Sequence, residues 1–99
     1  MEIQHIQSAI QQEIYFREHA IAKMLQRNIT EFEVVEAIQS GKIIEEYPED
    51  KYGPTCLILG TTQTGRVLHV LTSYTTPIWV ITTYEPDLNQ WIDDRIRRT

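Results

Sequence analysis

At Gly41 the periodicity of this chain changes, and the change limits its fold more than any other feature. Before Gly41, apolar residues recur at three- and four-residue steps, the spacing of one helical face. After it they alternate or run together, as in strands. Helices first and strands second predict an α+β domain, with N-terminal helices packed on a small antiparallel sheet.

Ile3, Ile6, Ile10 and Ile14 mark a first amphipathic helix, so residues 1–14 read as an N-terminal helical extension. Tyr15-Phe16 either interrupts that helix or forms a short extended piece. A second helix over residues 17–27 aligns Phe16, Ala20 and Met24 in one row, with Ile21 and Leu25 beside it. Asn28 stops it, because Asn tolerates the left-handed cap conformation. Thr30 with Glu33 three residues on forms a capping box, each side chain reaching the other's backbone. The helix this opens carries Phe32, Val35, Ala37 and Ile38 and ends at Gly41, read as its C′ residue.

Four strands follow, over residues 43–47, 55–61, 66–75 and 78–84. Thr62-Gln63-Thr64-Gly65 has hairpin composition, with Gly65 supplying a positive φ, and Thr76-Pro77 makes the next turn. Such short turns pair sequential strands antiparallel. Glu85-Pro86 ends the sheet. Asp87 and Gln90 then read as the start of a short C-terminal helix bearing Leu88, Trp91 and Ile92. Its arginine-rich end, with Arg95, Arg97 and Arg98, suits the negative pole of the helix dipole.

Ninety-nine residues make one domain. Hydrophobic residues at 41% and charged residues at 23% place it among ordinary globular chains and away from disorder. No apolar run approaches the ~18 residues of a transmembrane helix. The N-terminus lacks the basic and apolar regions of a signal peptide, so the cytoplasm is the expected compartment. Cys56 is the single cysteine and lies in an apolar run, which fits a buried hydrophobe better than a nucleophile. His5, His19 and His69 show no HxxxH or HExxH spacing, and no metal or cofactor is expected. The net charge of −5 does not favour nucleic acid overall, since phosphate binding rests on Lys and Arg displacing counterions, but a local basic patch can reverse this.

Such a patch lies on the second helix. His19, Lys23 and Arg27 are spaced four residues apart on one side of the wheel, next to the apolar row that must pack on the sheet. A cationic seam there suits an anion or phosphate, and a histidine within it can exchange a proton near neutral pH. The bland alternative is that the Lys and Arg stems cover apolar surface while their charges stay in water. On the strands, His69 sits within an apolar run, either hydrogen-bonded in the core or facing a cleft. Arg66, Thr82 and Tyr84 lie near strand ends, and Thr82 and Tyr84 share a face that Thr83 does not. Tyr47, Tyr52 and Tyr74 can stack on a base or serve as half-buried strand formers.

Five segments in order carry a resemblance. They are Phe16-Arg17-Glu18-His19-Ala20, Met24 to Thr30, Gly41 to Pro48, Leu68-His69-Val70, and Ile81 to Asp87. Together they resemble the domain-of-unknown-function family 4258 over about residues 15 to 91. At Lys23 the chain departs from that pattern, which carries Arg; Lys keeps the charge without the planar fork. The family is similar to RelE- and BrnT-like toxin folds. The resemblance therefore implies the toxin of a bacterial type II toxin–antitoxin pair, a metal-independent ribonuclease. His19, Arg27 and Tyr84 would be catalytic, and Lys23, Arg66, His69 and Thr82 would bind substrate. It also implies a small antitoxin partner, of a kind often carrying a zinc finger. The alternatives are an inactive toxin-fold module that binds a protein, and a homodimer formed through the first helix.

Overall fold

The computed structural model describes residues 1–98. Its elements in chain order are α1 (Ile3–Ala9), β1 (Tyr15–Phe16), α2 (Glu18–Arg27), α3 (Glu31–Ser40), β2 (Lys42–Tyr47), β3 (Thr55–Thr61), β4 (Val67–Ser73), β5 (Trp79–Tyr84), β6 (Trp91–Ile92) and β7 (Ile96–Arg97). One sheet has the order β1-β5-β4-β3-β2, and β6 pairs with β7 in a separate hairpin. The chain is α+β, as its periodicity predicts. No helix among the described residues is long and apolar enough to cross a membrane.

Local chemistry explains the helices. Asn28 adopts φ 56°, and the amide after it bonds back to the Met24 carbonyl, so α2 ends on a left-handed cap. The capping box at α3 is complete: Glu33 N–H donates to Thr30 Oγ1 at 3.1 Å, and Thr30 N–H donates to Glu33 Oε1 at 3.0 Å. Gly41 closes α3 differently from expectation. Its φ is −92°, and what requires glycine is space, since a Cβ would come within 2.6 Å of the Ala37 carbonyl oxygen. Gly60 on β3 is tighter still, its imagined Cβ only 1.7 Å from the same oxygen. The two glycines let α3 lie directly on β3.

The core lies between helices and sheet. Ile6 and Ile10 from the N-terminal segment, Ala20 and Met24 from α2, and Val34, Ala37 and Ile38 from α3 meet Cys56, Ile58, Leu68, Val70 and Val80 of the sheet. Each large aliphatic side chain buried here contributes about 1.5–3 kcal/mol. Cys56 is wholly buried, and burial pushes its thiol pKa up, as befits a small hydrophobe. Part of the apolar rows lies outside the core: Leu25 is 80% exposed and Phe32 83% exposed.

Three expectations need correction. The sheet has five strands, because Tyr15-Phe16 pairs parallel with Trp79-Val80 and makes the sheet mixed. The first helix stops at Ala9 rather than continuing to residue 14. The C-terminal segment is the hairpin β6–β7, not a helix. Asp87 takes up Asn89 N–H in a local turn, and Asp93 and Asp94 both adopt positive φ, 51° and 63°, which no helix accommodates. Of the apolar residues there, Trp91 is buried while Leu88, Ile92 and Ile96 are exposed, so no helical stripe forms.

A methyl group at position 60 must displace α3 or β3. Gly60→Ala is expected to cost about 3 kcal/mol, the upper part of the range for overpacking, read as a lowered midpoint of urea unfolding. An unchanged midpoint would show that α3 does not rest on this glycine.

Candidate functional site

On β4 and β5, side chains alternate between the helices and the opposite face. Val70 faces the helices; His69 and Leu71 face away. On β5 the alternation is broken by a bulge: Leu71 pairs with Thr82 and Thr72 with Val80, so Ile81 is the extra residue. Val80 and Thr83 are buried, whereas Ile81 and Thr82 are both half-buried. Two cavities open on these neighbouring residues.

The first, about 460 Å³, is lined by Tyr47, Asp50, Leu57, Leu71, Thr82, Tyr84 and Arg97. Its floor is the helix-free face of the sheet. His69 lies beneath it, wholly buried, with Nδ1 3.3 Å from the Tyr84 hydroxyl and Nε2 against the carbonyl oxygen of Asp94. A carbonyl can only accept, so Nε2 carries the proton. Nδ1 is then the acceptor, and the Tyr84 hydroxyl donates to it. The Tyr84 oxygen is left with lone pairs to offer to anything entering the cavity. The Trp91 ring packs edge-on against His69 with centroids 4.4 Å apart, and the Arg97 guanidinium lies 4.6 Å from the centre of the Trp91 ring. Burial lowers the His69 pKa and raises that of Tyr84, so both groups are neutral near pH 7. Across the cavity the Tyr47 hydroxyl donates to Glu45, which also accepts from Arg97 Nε at 3.0 Å; burial and then Glu45 raise the Tyr47 pKa.

The second cavity, about 430 Å³, is lined by Arg17, His19, Tyr52 and Ile81. His19 is exposed in the first turn of α2. Ile81 and Thr82 are consecutive, so the two cavities border neighbouring positions of β5. Ile81 and Tyr84 lie about 10 Å apart along the strand. Of the residues expected from sequence, His19 lines one of these cavities and Thr82 and Tyr84 the other.

Not every predicted residue is free to bind. Arg27 Nη1 donates to the Thr83 carbonyl at 2.9 Å, tying α2 to the edge of β5, and Lys23 is half-buried between Arg27 and His19. Arg66 is engaged on every side: Nη1 reaches Asn28 O at 2.7 Å and both Glu33 oxygens at 3.2 Å, and Nη2 reaches Arg27 O at 2.9 Å and Glu85 Oε1 at 3.1 Å. The Thr30 amide first, and Arg66 further, hold the Glu33 pKa below its usual value. Thr83 faces the core and donates to His69 O at 2.8 Å, opposite Thr82 and Tyr84 as expected. Tyr47 and Tyr52 border the cavities, while Tyr74 packs on His5 with ring centroids 4.6 Å apart. Arg17, Trp79 and Arg97 are additions. Arg17 and Trp79 give no signal until β1 is paired with β5, and Arg97 none until the terminal hairpin is formed.

The fold and this face define a small α+β domain whose sheet presents a polar, tyrosine-lined floor. A family model described as a domain of unknown function (DUF4258) matches residues 16–85. The chain belongs to that family. No curated protein and no solved structure matches it.

His69 gives this site a pH signature. Its folded pKa is lowered from 6.5, so the unfolded chain protonates there before the folded one. Stability is therefore complete above about pH 6.5 and is lost as pH falls toward the folded pKa. Glu33, lowered from 4.5, acts only in the more acidic window. The urea midpoint should fall between about pH 7.5 and pH 5, and His69→Gln should flatten that fall. A slope unchanged by the substitution would assign it to other groups.

Proposed function

We propose that this protein is a ribonuclease of the toxin type, cleaving RNA through the substrate's own 2′-hydroxyl on the helix-free face of the sheet. The observation that carries this reading is that consecutive residues of β5, Ile81 and Thr82, line two separate cavities, one holding His19 and the other Tyr84 on His69. In the proposed step the 2′-hydroxyl donates to the Tyr84 oxygen while the Tyr84 proton passes to His69 Nδ1. The 2′-oxygen attacks phosphorus, and the 5′-oxygen leaves with a proton from the His19 imidazolium. The products are a 2′,3′-cyclic phosphate and a 5′-hydroxyl end; His69 then returns its extra proton outward through the Tyr84 hydroxyl to water, and water reprotonates His19. Arg17 in the His19 cavity and Arg97 in the Tyr84 cavity are the cations that line this path, and their role is to offset the charge developing on phosphate, while Arg27 holds α2 to the Thr83 carbonyl. Thr82 lines the floor between the two ends.

A second reading is a toxin-fold module that binds a protein rather than cutting RNA. The engagement of Arg66 in two ion pairs and two carbonyl bonds favours it, because this cation is not available to phosphate. The net charge of −5 also suits a basic partner, as a small antitoxin could be.

The two readings part on induced expression. Wild type should arrest growth and leave 2′,3′-cyclic phosphate ends on cellular RNA. His19→Ala and Tyr84→Phe should each lower cleavage by about 100- to 10,000-fold while remaining folded. Equal cleavage by His19→Ala would remove His19 from the mechanism. Absence of new RNA ends, with a stable complex formed by the product of an adjacent gene, would establish the binding reading instead.

A further inference from the structure

In and beside the cavity holding His19 lies a group of aromatic and cationic side chains, of which the cleavage step uses only Arg17. Tyr15 on β1 stacks on its register partner Trp79 on β5, with ring centroids 5.0 Å apart and planes 29° from parallel. The Arg17 guanidinium lies 4.8 Å from the centre of the Trp79 ring. Arg17 also lines the His19 cavity together with Tyr52, and Lys51 Nζ lies 5.0 Å from the centre of the Tyr52 ring. Tyr15 is 40% exposed and Tyr52 74% exposed, although rings of this size are usually more deeply covered.

Two nearby carboxylates are already engaged. Glu13 accepts from the Tyr15 hydroxyl at 2.7 Å. Asp50 takes up Tyr52 N–H at 3.1 Å and the Thr55 hydroxyl at 3.4 Å within its own loop. What remains is a run of flat surfaces with cations beside them: Tyr15, Trp79, Arg17, then His19, then Tyr52 and Lys51. Unstacked bases have two apolar faces and a charged backbone alongside, and aromatic rings interleaved with Arg and Lys match that pattern. A duplex buries those faces in its own stack and cannot use them.

We infer that Tyr15, Trp79, Arg17 and Tyr52 form a stacking platform for the bases of single-stranded RNA, leading the strand past His19 to Tyr84. In naming RNA the inference rests on the ribonuclease reading, but stacking itself does not need the 2′-hydroxyl, and this separates the two. The probe is a fluorescently labelled single strand of eight 2′-deoxynucleotides, which can bind and cannot be cut, followed by anisotropy with the full chain. A wholly abasic strand of equal length and a duplex serve as comparisons.

The deoxy strand should bind at least about tenfold more tightly than either comparison, and Tyr52→Ala should weaken it by about 5- to 150-fold. Tyr15→Ala should act in the same direction, with circular dichroism confirming the fold. Tyr52 is the cleaner position because it lies exposed in a loop. Equal binding of the abasic strand would overturn the platform, since charge alone would then explain affinity. So would full affinity in Tyr52→Ala and Tyr15→Ala together. A platform that passes these tests in a protein that leaves the matching RNA strand intact would refute the cleavage reading alone. Cleavage undiminished by both tyrosine substitutions would refute the platform alone.

Discussion

Two backbone carbonyls at the end of α2, the capping glutamate of α3 and a carboxylate just past β5 all meet on the guanidinium of Arg66. The carbonyls of Arg27 and Asn28 belong to a helix terminus, where such groups lack intrahelical donors. Glu33 is at once the reciprocal partner of Thr30 and the ion-pair partner of Arg66, so the start of one helix is tied to the end of the other. Each ion pair taken singly is worth little, because Arg66 and Glu33 keep 21% of their side-chain surface in solvent and Glu85 keeps 59%. The planar fork matters more than any one pair: it joins three elements in fixed directions. Arg27, one residue before the Asn28 cap, then reaches the Thr83 carbonyl. The slope of α2 across the sheet edge, and with it the place of His19, depends on these contacts.

Strand β5 is where the two halves of the site join. A regular strand running on from the core residue Val80 would turn Ile81 away from the helices and Thr82 toward them. The bulge instead leaves Ile81 and Thr82 both partly open, and one lines each cavity. The edge of β5 beyond Val80 carries no strand neighbour, since β1 pairs only with Trp79 and Val80. Arg27 takes up a carbonyl there, which both satisfies the edge and holds the helix to it. Backbone irregularity and helix position are thus one arrangement.

Features fixed by near neighbours were legible in the sequence. The Thr30–Glu33 box, the Asn28 cap, the hairpin at Gly65 and the bounds of β3 all follow from a few consecutive residues. So did the opposite facing of Thr83 relative to Thr82 and Tyr84, which needs only strand alternation. Features decided across the chain were not. Two residues give no periodicity, so the parallel pairing of Tyr15-Phe16 could not be read. Asp87, Gln90 and three apolar residues fit a helix locally, yet Trp91 packs on His69, and the Asp93-Asp94 turn that delivers a carbonyl to that ring closes a hairpin instead. Arg66 looked like a phosphate ligand because its partners are mainly backbone oxygens and distant glutamates, which leave no mark near residue 66.

The terminal hairpin decides what chemistry the sheet floor can perform. The family span, residues 16–85, contains His69 and Tyr84, whereas Trp91, Asp94 and Arg97 come after it. Without the Asp94 carbonyl, the two tautomers of His69 would compete, and Tyr84 would be donor in one and acceptor in the other. With it, Nε2 keeps the proton, Nδ1 accepts, and the Tyr84 oxygen turns its lone pairs outward. Trp91 then seals the ring from water, which keeps the imidazole neutral, and Arg97 joins that cover to Glu45 and Tyr47 on the far strand. A buried histidine that began as a choice between core and cleft is in fact both. It is the buried end of a hydrogen-bonded pair whose other end is the half-buried Tyr84 hydroxyl lining the cavity, and the direction of the proton between them is set from outside the sheet.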